Sequence, residues 1–276
     1  MNGRDGLPVD TGRESFVHEL TVLPRELQRR NPILFWTATG HAVLLLGFLV
    51  GLAADPRIVS GDPVWLKPAK FAASIGLFTG VLAWLTPHLS VSRKFRRLIS
   101  WGIAIAAVIE ITAIAGQAAR GTRSHFNYST TFDTAVYLTM GLVIITMTLL
   151  VAWLFIRAAR NGFDVHPAFA LGITLGGGLF VTGAFEGGVM IALNTNTVGT
   201  GYTLPVVGWT LVGDFRVAHF VGLHALQVLP LAGYLAAIAE QRGQITDPKR
   251  LVRLVGCIYG GTLFVAFFLA IAPLVA

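Results

Sequence analysis

The sequence predicts an all-α integral membrane protein, a bundle of seven transmembrane helices. Apolar residues make up 54% of the 276 residues, and charged residues make up only 13%, about half the share found in soluble domains. The apolar residues also fall into seven long runs, each close to the roughly 20 residues that cross a hydrocarbon core of about 30 Å. These runs do not alternate as the strands of a membrane barrel do. Helices are therefore the only spanning structure that the sequence supports.

The first run follows a charged tail and has no small-residue cleavage site behind it, so we expect it to stay as a helix. The predicted spans are residues 31–54, 71–92, 98–119, 134–156, 166–193, 217–239 and 254–276. The tail, residues 1–30, precedes this membrane domain of residues 31–276. Within the tail, Phe16, Leu20, Leu23 and Leu27 recur near helical spacing, which predicts an amphipathic helix on the inner membrane surface.

The fifth span and the stretch after it have unusual compositions. The span contains seven glycines, two pairs of which have G-x-x-x-G spacing, and we expect them to let helices approach closely: Gly172, Gly176, Gly177, Gly178, Gly183, Gly187 and Gly188. Residues 194–213 are uncharged, but they are too polar to face lipid, and Pro205 would interrupt a helix. We expect an outer loop that dips into the membrane rather than an eighth span.

Orientation follows from the distribution of basic residues between the connections. One side of the predicted bundle carries 15 of the 21 Lys and Arg residues, and the other side carries six. The positive-inside rule therefore predicts a cytoplasmic N-terminus and an extracytoplasmic C-terminus, and we expect the cell (plasma) membrane. The net charge of +7 does not indicate nucleic-acid binding, because the basic residues punctuate apolar spans. The single Cys257 excludes an intramolecular disulfide and a cysteine-rich zinc site.

Ionisable residues outside the cytoplasmic loops lie mostly in the predicted outer half of the membrane. Such groups are costly within spans, and they usually face a bundle interior or a water-filled cavity where they function. Glu110 and Gln117 are seven residues apart and share one face of the third span. The sequence therefore predicts a polar cavity that opens outward.

Three groups of residues are expected at this cavity in a metal- or haem-assisted enzyme that acts on a lipid-like or anionic substrate. The predicted catalytic residues are Glu110, His125, Asp133 and Glu186. The predicted metal ligands are His219, His224 and Asp214, since imidazole and carboxylate bind transition metals and imidazole binds haem. The predicted substrate or anion contacts are Lys67, Lys70, Gln117, Arg120, Arg123, Asn127, Arg216 and Gln227. Membrane lipids are the expected surroundings, and the sequence does not define an oligomeric state.

Other interpretations stay open for several of these residues. Lys67 and Lys70 are also explained by snorkelling to the headgroups, and Arg120 and Arg123 by pairing with Asp133 or with lipid phosphate. His41 in the first span is expected to have a hydrogen-bonded packing role. At the level of the whole protein, a proton- or ion-coupled transporter or channel is an alternative to an enzyme, and an accessory subunit of a membrane complex is a second alternative.

Overall fold

The computed structural model describes residues 24–199, 201–204 and 208–275 and contains seven long apolar helices. This confirms the predicted all-α membrane bundle. The helices are α1 (Pro32–Ala54), α2 (Leu66–Leu85), α3 (Arg93–Ala119), α4 (Thr131–Asn161), α5 (Pro167–Leu193), α6 (Phe215–Gln241) and α7 (Pro248–Val275). Many large apolar side chains on them are exposed, among them Leu46, Leu142 and Phe268. Exposed apolar surface of this extent is expected where a helix faces lipid.

The second helix begins earlier than predicted. It starts at Leu66 instead of residue 71, and a 3-10 turn, Thr86–His88, ends this span before residue 92. Pro68 is compatible with a first helical turn, because the backbone N–H that proline lacks would have no partner there. The shift places Lys67 within the helix at its first turn.

Helix ends are capped by polar side chains that the hydropathy pattern does not reveal. Asn31 caps α1 by accepting from Leu34 N, and its amide Nδ2 donates to Thr86 Oγ1 at 2.9 Å and to Ser100 Oγ at 3.0 Å. The amide is buried. One side chain thus joins α1 to the end of the second span and to α3.

A short hairpin connects α1 to α2. Strands β1 (Ile58–Val59) and β2 (Asp62–Pro63) pair in antiparallel register. Ser60 and Gly61 between them both have positive φ, as a two-residue type I′ turn requires. Asp55 accepts from Trp65 Nε1 at 2.8 Å and from Arg57, while Arg57 Nη1 donates to Ala119 O at the end of α3. The hairpin therefore fixes the start of α2 against α3.

Helices α5 and α6 approach most closely through glycines. A Cβ atom on Gly172 would lie 2.3 Å from Leu229 O, and one on Gly183 would lie 2.4 Å from Gly222 Cα. Gly176 fits in the same way against Pro230. The expected close packing is therefore confirmed for these glycines. It is wrong for Gly178 and Gly188, around which a Cβ atom would find open space.

The connection from α5 to α6 packs against α7. Its described residues, 194–199, 201–204 and 208–214, contain no helix, so the prediction against an eighth span is confirmed there; Pro205 lies outside them. Gly213 N donates to Leu269 O at 3.0 Å. Within the helix, this carbonyl would bond to the N–H of the residue four positions later, but that residue is Pro273, which has no N–H. The carbonyl of Leu269 is therefore available to Gly213. Leu269 is six residues before the end of α7, or about 9 Å along the helix, so the connection reaches into the length of the span.

The N-terminal tail is described only from residue 24. Residues 24–30 are helical, and Glu26 pairs with Arg29 and Arg30. These two arginines lower the pKa of Glu26 to about 2. The rest of the predicted amphipathic segment, residues 16–23, lies outside the described residues.

Candidate functional site

The first turn of α2 and the loop between α3 and α4 meet at one end of the bundle. Lys67 Nζ lies 3.2 Å from His125 Nδ1, and Ser124 Oγ lies 3.0 Å from the same nitrogen. Phe71 contacts both partners, with its ring centroid 5.9 Å from Lys67 Nζ and 5.7 Å from the His125 ring. Tyr137 on α4 lies 6.3 Å from that ring. Lys67 and His125, 58 positions apart in the sequence, are thus held in contact next to the aromatic rings of Phe71 and Tyr137.

Lys67 is the point where residues from four segments converge. It interacts electrostatically with Glu110 of α3, with Arg123 of the α3–α4 loop and with Arg216 of α6. Glu110 is 4% exposed, and among the described residues its Oε1 has no hydrogen-bond partner. A carboxyl group in this state keeps an oxygen available for a proton or a ligand. Four predicted site residues therefore lie around Lys67: Glu110, Arg123, His125 and Arg216.

Burial and a neighbouring cation both disfavour the charged form of His125. Its ring is half-buried, and burial disfavours the charged form of an imidazole. The ammonium group of Lys67 adds like-charge repulsion. Burial and then Lys67 hold the pKa of His125 well below its usual value of 6.5.

Asp133 belongs to a separate cluster at the start of α4. Its carboxylate accepts from Gln117 Nε2 at 2.9 Å, Arg120 Nη1 at 2.6 Å and Thr130 Oγ1 at 2.7 Å. Arg120 also donates to Gln117 Oε1 and lies over the Phe132 ring. These bonds occupy the groups that we predicted would serve catalysis or anion binding. They favour the alternative in which Arg120 pairs with Asp133 and joins α3 to α4.

Asn127 has a similar role inside the loop. Its amide donates to Thr122 Oγ1 at 3.1 Å and to Arg123 O at 2.8 Å, and its Oδ1 accepts from Ser129 N at 3.1 Å. The side chain is 1% exposed. Its contacts shape the loop that carries His125, and they leave little capacity for an external anion.

Asp214 is paired with Arg216 rather than placed among imidazoles. The carboxylate is fully buried, accepts from Arg216 Nε at 2.8 Å and Nη2 at 2.6 Å, and also accepts from Thr210 N. The guanidinium lies 5.6 Å from the Trp209 ring centroid. Arg216 Nη1 makes no hydrogen bond within the described part of the chain. Asp214 thus occupies two of the three guanidinium nitrogens of Arg216.

The predicted metal ligands do not form a cluster. His219 Nδ1 lies 2.7 Å from Gly183 O, whereas His224 Nδ1 lies 2.8 Å from Phe220 O and its ring stacks on Phe220. Over residues 24–199, 201–204 and 208–275, no group of three or more His, Cys, Asp or Glu side chains is arranged to hold a metal ion. The i to i+5 spacing of the two histidines separates the rings around the helix, so the prediction of a metal or haem site gains no support.

Four further residues of interest are Glu186, Gln227, His41 and Lys70. Glu186 on α5 is 3% exposed, and its Oε2 has no hydrogen-bond partner among the described residues. The Gln227 amide lies 3.0 Å from His224 O and 3.1 Å from Leu223 O, so it bonds its own helix. His41 packs against Gly76 and donates from Nδ1 to Thr37 O at 2.8 Å, as predicted. Lys70 is half-buried and lies three residues after Lys67 on the same helix.

A groove of about 390 Å³ lies between α6 and α7, not among the ionisable residues. It is lined by Phe220, Val221, Val255, Ile258, Tyr259 and Thr262. Its lining is mainly apolar, which suits an acyl chain of the surrounding lipid. The predicted outward-opening polar cavity is not this groove.

Sequence reasoning missed the two groups that hold His125 in place. Ser124 is adjacent to the histidine in the chain, and Phe71 is one turn after Lys67, so both were visible as neighbours of predicted residues. Ser124 and Phe71 meet at His125 only because α2 packs against the α3–α4 loop. No family model, curated protein or solved structure matches this chain.

Proposed function

We propose that this multi-pass membrane protein binds an anionic, lipid-like substrate at the Lys67 site and transfers a proton there through Glu110. The observation that carries the proposal is the convergence of Glu110, Arg123, His125 and Arg216 around Lys67. Cationic groups from separate segments attract one anion in common. A substrate with an apolar tail would reach them from the adjacent leaflet.

Glu110 supports the catalytic part of the proposal. A buried carboxyl group with an unpartnered oxygen can accept or donate a proton in a site from which bulk water is excluded. Lys67 and Glu110 have opposite formal charges and interact electrostatically. An anion that binds Lys67 would therefore compete with Glu110 for the same ammonium group.

The proposal names no metal or haem; the described residues contain no group of three or more His, Cys, Asp or Glu side chains that could hold a metal ion. It does include the orientation predicted from the basic residues, which puts the Lys67 site at the outer face of the plasma membrane. An N-terminal tag tests that orientation. It should be accessible to a membrane-impermeant reagent only after the cells are permeabilised, and labelling of intact cells would overturn it.

Mass spectrometry of molecules that co-purify with the detergent-solubilised protein tests the binding site. We expect the wild type to retain an anionic amphiphile that Lys67→Met loses. Lys249→Met is the matched control, because Lys249 lies at the first turn of α7, on the opposite predicted side. An identical set of bound molecules in all three proteins would refute the proposal. If Glu110→Gln keeps the bound molecule but removes a pH dependence of its binding that the wild type shows, the proton exchange is assigned to Glu110.

Proton-coupled transport is the second candidate function. The observation that favours it is a second buried carboxyl, Glu186 on α5, which also has an unpartnered oxygen. Two such groups on different helices can carry protons between water and the bundle interior. Proton flux into proteoliposomes, lost in both Glu110→Gln and Glu186→Gln, would favour transport over an enzyme; flux equal to that of empty liposomes would remove it.

A further inference from the structure

The hydrogen-bond partners of His125 determine which ring nitrogen carries its proton. Lys67 Nζ has donors only, so His125 Nδ1, 3.2 Å away, must be the acceptor. The hydroxyl of Ser124, 3.0 Å from the same nitrogen, can also donate to it. A neutral imidazole that accepts at Nδ1 carries its proton on Nε2. His125 is therefore a donor through Nε2–H.

Burial supports the neutral state of the ring on independent grounds. The aromatic rings of Phe71, Phe126 and Tyr137 have centroids 5.7, 6.5 and 6.3 Å from the imidazole centroid. Burial and the adjacent Lys67 charge lower the pKa of His125. The hydrogen bonds of His125 with other described residues are made at Nδ1, which leaves Nε2–H for a ligand.

The groups that contact Lys67 or interact with it electrostatically are thus donors without acceptor capacity, apart from Glu110. With Lys67 they belong to three segments: Lys67 is on α2, Arg123 and His125 are in the α3–α4 loop, and Arg216 is on α6. A planar carboxylate presents its two oxygens to one side, where a single guanidinium already matches them. A tetrahedral oxyanion has more oxygens, so several donors from separate segments can bind it at once.

We propose that the Lys67 site binds a phosphate-class oxyanion and that His125 is the neutral donor that selects it through Nε2–H. The proposal rests on the proposed function, because it assigns a ligand class to the same site. The phosphate could belong to a lipid headgroup or to free phosphate. Both present the same oxygens to these donors, and the experiment distinguishes them.

Binding is measured on the full chain purified in dodecyl maltoside, in a buffer without phosphate at pH 8. The probes are dioctanoyl phosphatidic acid, inorganic phosphate and laurate, and dissociation constants come from ligand-dependent thermal unfolding. We expect phosphatidic acid to bind at least about tenfold more tightly than laurate. Inorganic phosphate as tight as phosphatidic acid would identify free phosphate as the ligand, whereas weaker binding would identify the lipid headgroup.

Two substitutions at position 125 test the donor. Glutamine places an amide NH₂ near the position of Nε2, whereas asparagine places its amide near Nδ1. We therefore expect His125→Gln to keep affinity for the phosphate probe within about threefold and His125→Asn to lose at least about tenfold. Unfolding without ligand shows whether each variant is folded. The nitrogen NMR signals of His125 provide a second measurement, because they show which ring nitrogen is protonated. A proton on Nδ1 would overturn the proposed tautomer.

The remaining outcomes separate the two proposals. If laurate binds as tightly as phosphatidic acid and loses affinity in Lys67→Met, the anion site stands and the phosphate class is refuted. If none of the three probes binds, both proposals fail. Equal losses in His125→Gln and His125→Asn, with both variants folded, would refute the donor role of His125.

Discussion

Substitution of Gly183 by alanine tests how the close contact between α5 and α6 is made. The added Cβ would lie 2.4 Å from Gly222 Cα and 2.7 Å from Gly222 C. Carbon atoms that are not bonded pack at about 3.5–4.0 Å, so α5 and α6 must separate by at least about 1 Å. The obstacle is backbone, which cannot move aside as a flexible side chain can.

The expected loss of stability follows from this separation. Forcing one extra methyl group into a packed contact costs about 1–3 kcal/mol. The hydrogen bond from His219 Nδ1 to Gly183 O, 2.7 Å long, spans the same contact and contributes about 0.5–1.5 kcal/mol when intact. We expect Gly183→Ala to lower the free energy of unfolding by about 1.5–4.5 kcal/mol, the sum of these two effects.

Equilibrium unfolding in mixed micelles, followed by loss of helical circular dichroism, measures this change. Gly178→Ala is the matched control, because it makes the same change on the same helix where no atom lies within 4 Å. That control should be neutral or slightly stabilising, since alanine has the higher helix propensity. Equal stability of Gly183→Ala and Gly178→Ala would refute the role of glycine in this contact.

Three further predictions concern the contacts around the site. Asp133→Asn keeps the shape of the side chain but removes the charge that pairs with Arg120, so the melting temperature in detergent should fall; an unchanged value would show that the pair does not hold α3 to α4. Pro273→Ala supplies a backbone N–H that competes with Gly213 for one carbonyl of α7, so hydrogen exchange of residues 208–213 should become faster, and unchanged exchange would contradict this account. Arg57 and Trp65 hold the pKa of Asp55 well below its usual 3.8, so its stabilising effect is complete above about pH 4 and is lost as the pH falls through the lower value. Asp55→Asn should therefore be less stable than the wild type at pH 7 and should approach it in acid, and a difference independent of pH would rule this out.

The apolar pattern predicted the existence and order of all seven helices, because a helix needs about 20 mostly apolar residues to cross the hydrocarbon core. It predicted the starts of α1, α5 and α6 to within two residues but placed those of α2, α3 and α7 five or six residues too late. Helix α3 starts at Arg93 instead of residue 98, and α7 starts at Pro248 instead of residue 254. Both first turns contain basic residues, whose side chains can reach the headgroups while their backbone is helical. The hydropathy pattern shows that these residues are charged, but it does not show that their backbone is helical.

The candidate site was predictable as a set of residue types but not as a set of contacts. Glu110, Lys67 and His125 were expected at one end of the membrane because intramembrane charges are costly. Asp133 has the same chemistry, yet its oxygens are taken by Gln117 and Arg120. Which carboxylate is paired depends on how α3 meets α4, and no spacing within the sequence encodes that distance.

The position of Lys67 between two groups of helices explains why one site draws on so many segments. Helices α1, α2 and α3 contact one another, and so do α5, α6 and α7. Lys67 belongs to the first group, whereas Arg216, held by Asp214, belongs to the second. Lys67 and Arg216 repel each other across this boundary, and Arg216 is oriented by Asp214. An anion bound between them would replace that repulsion with two attractions and would thereby couple its binding to the packing of the two helix groups.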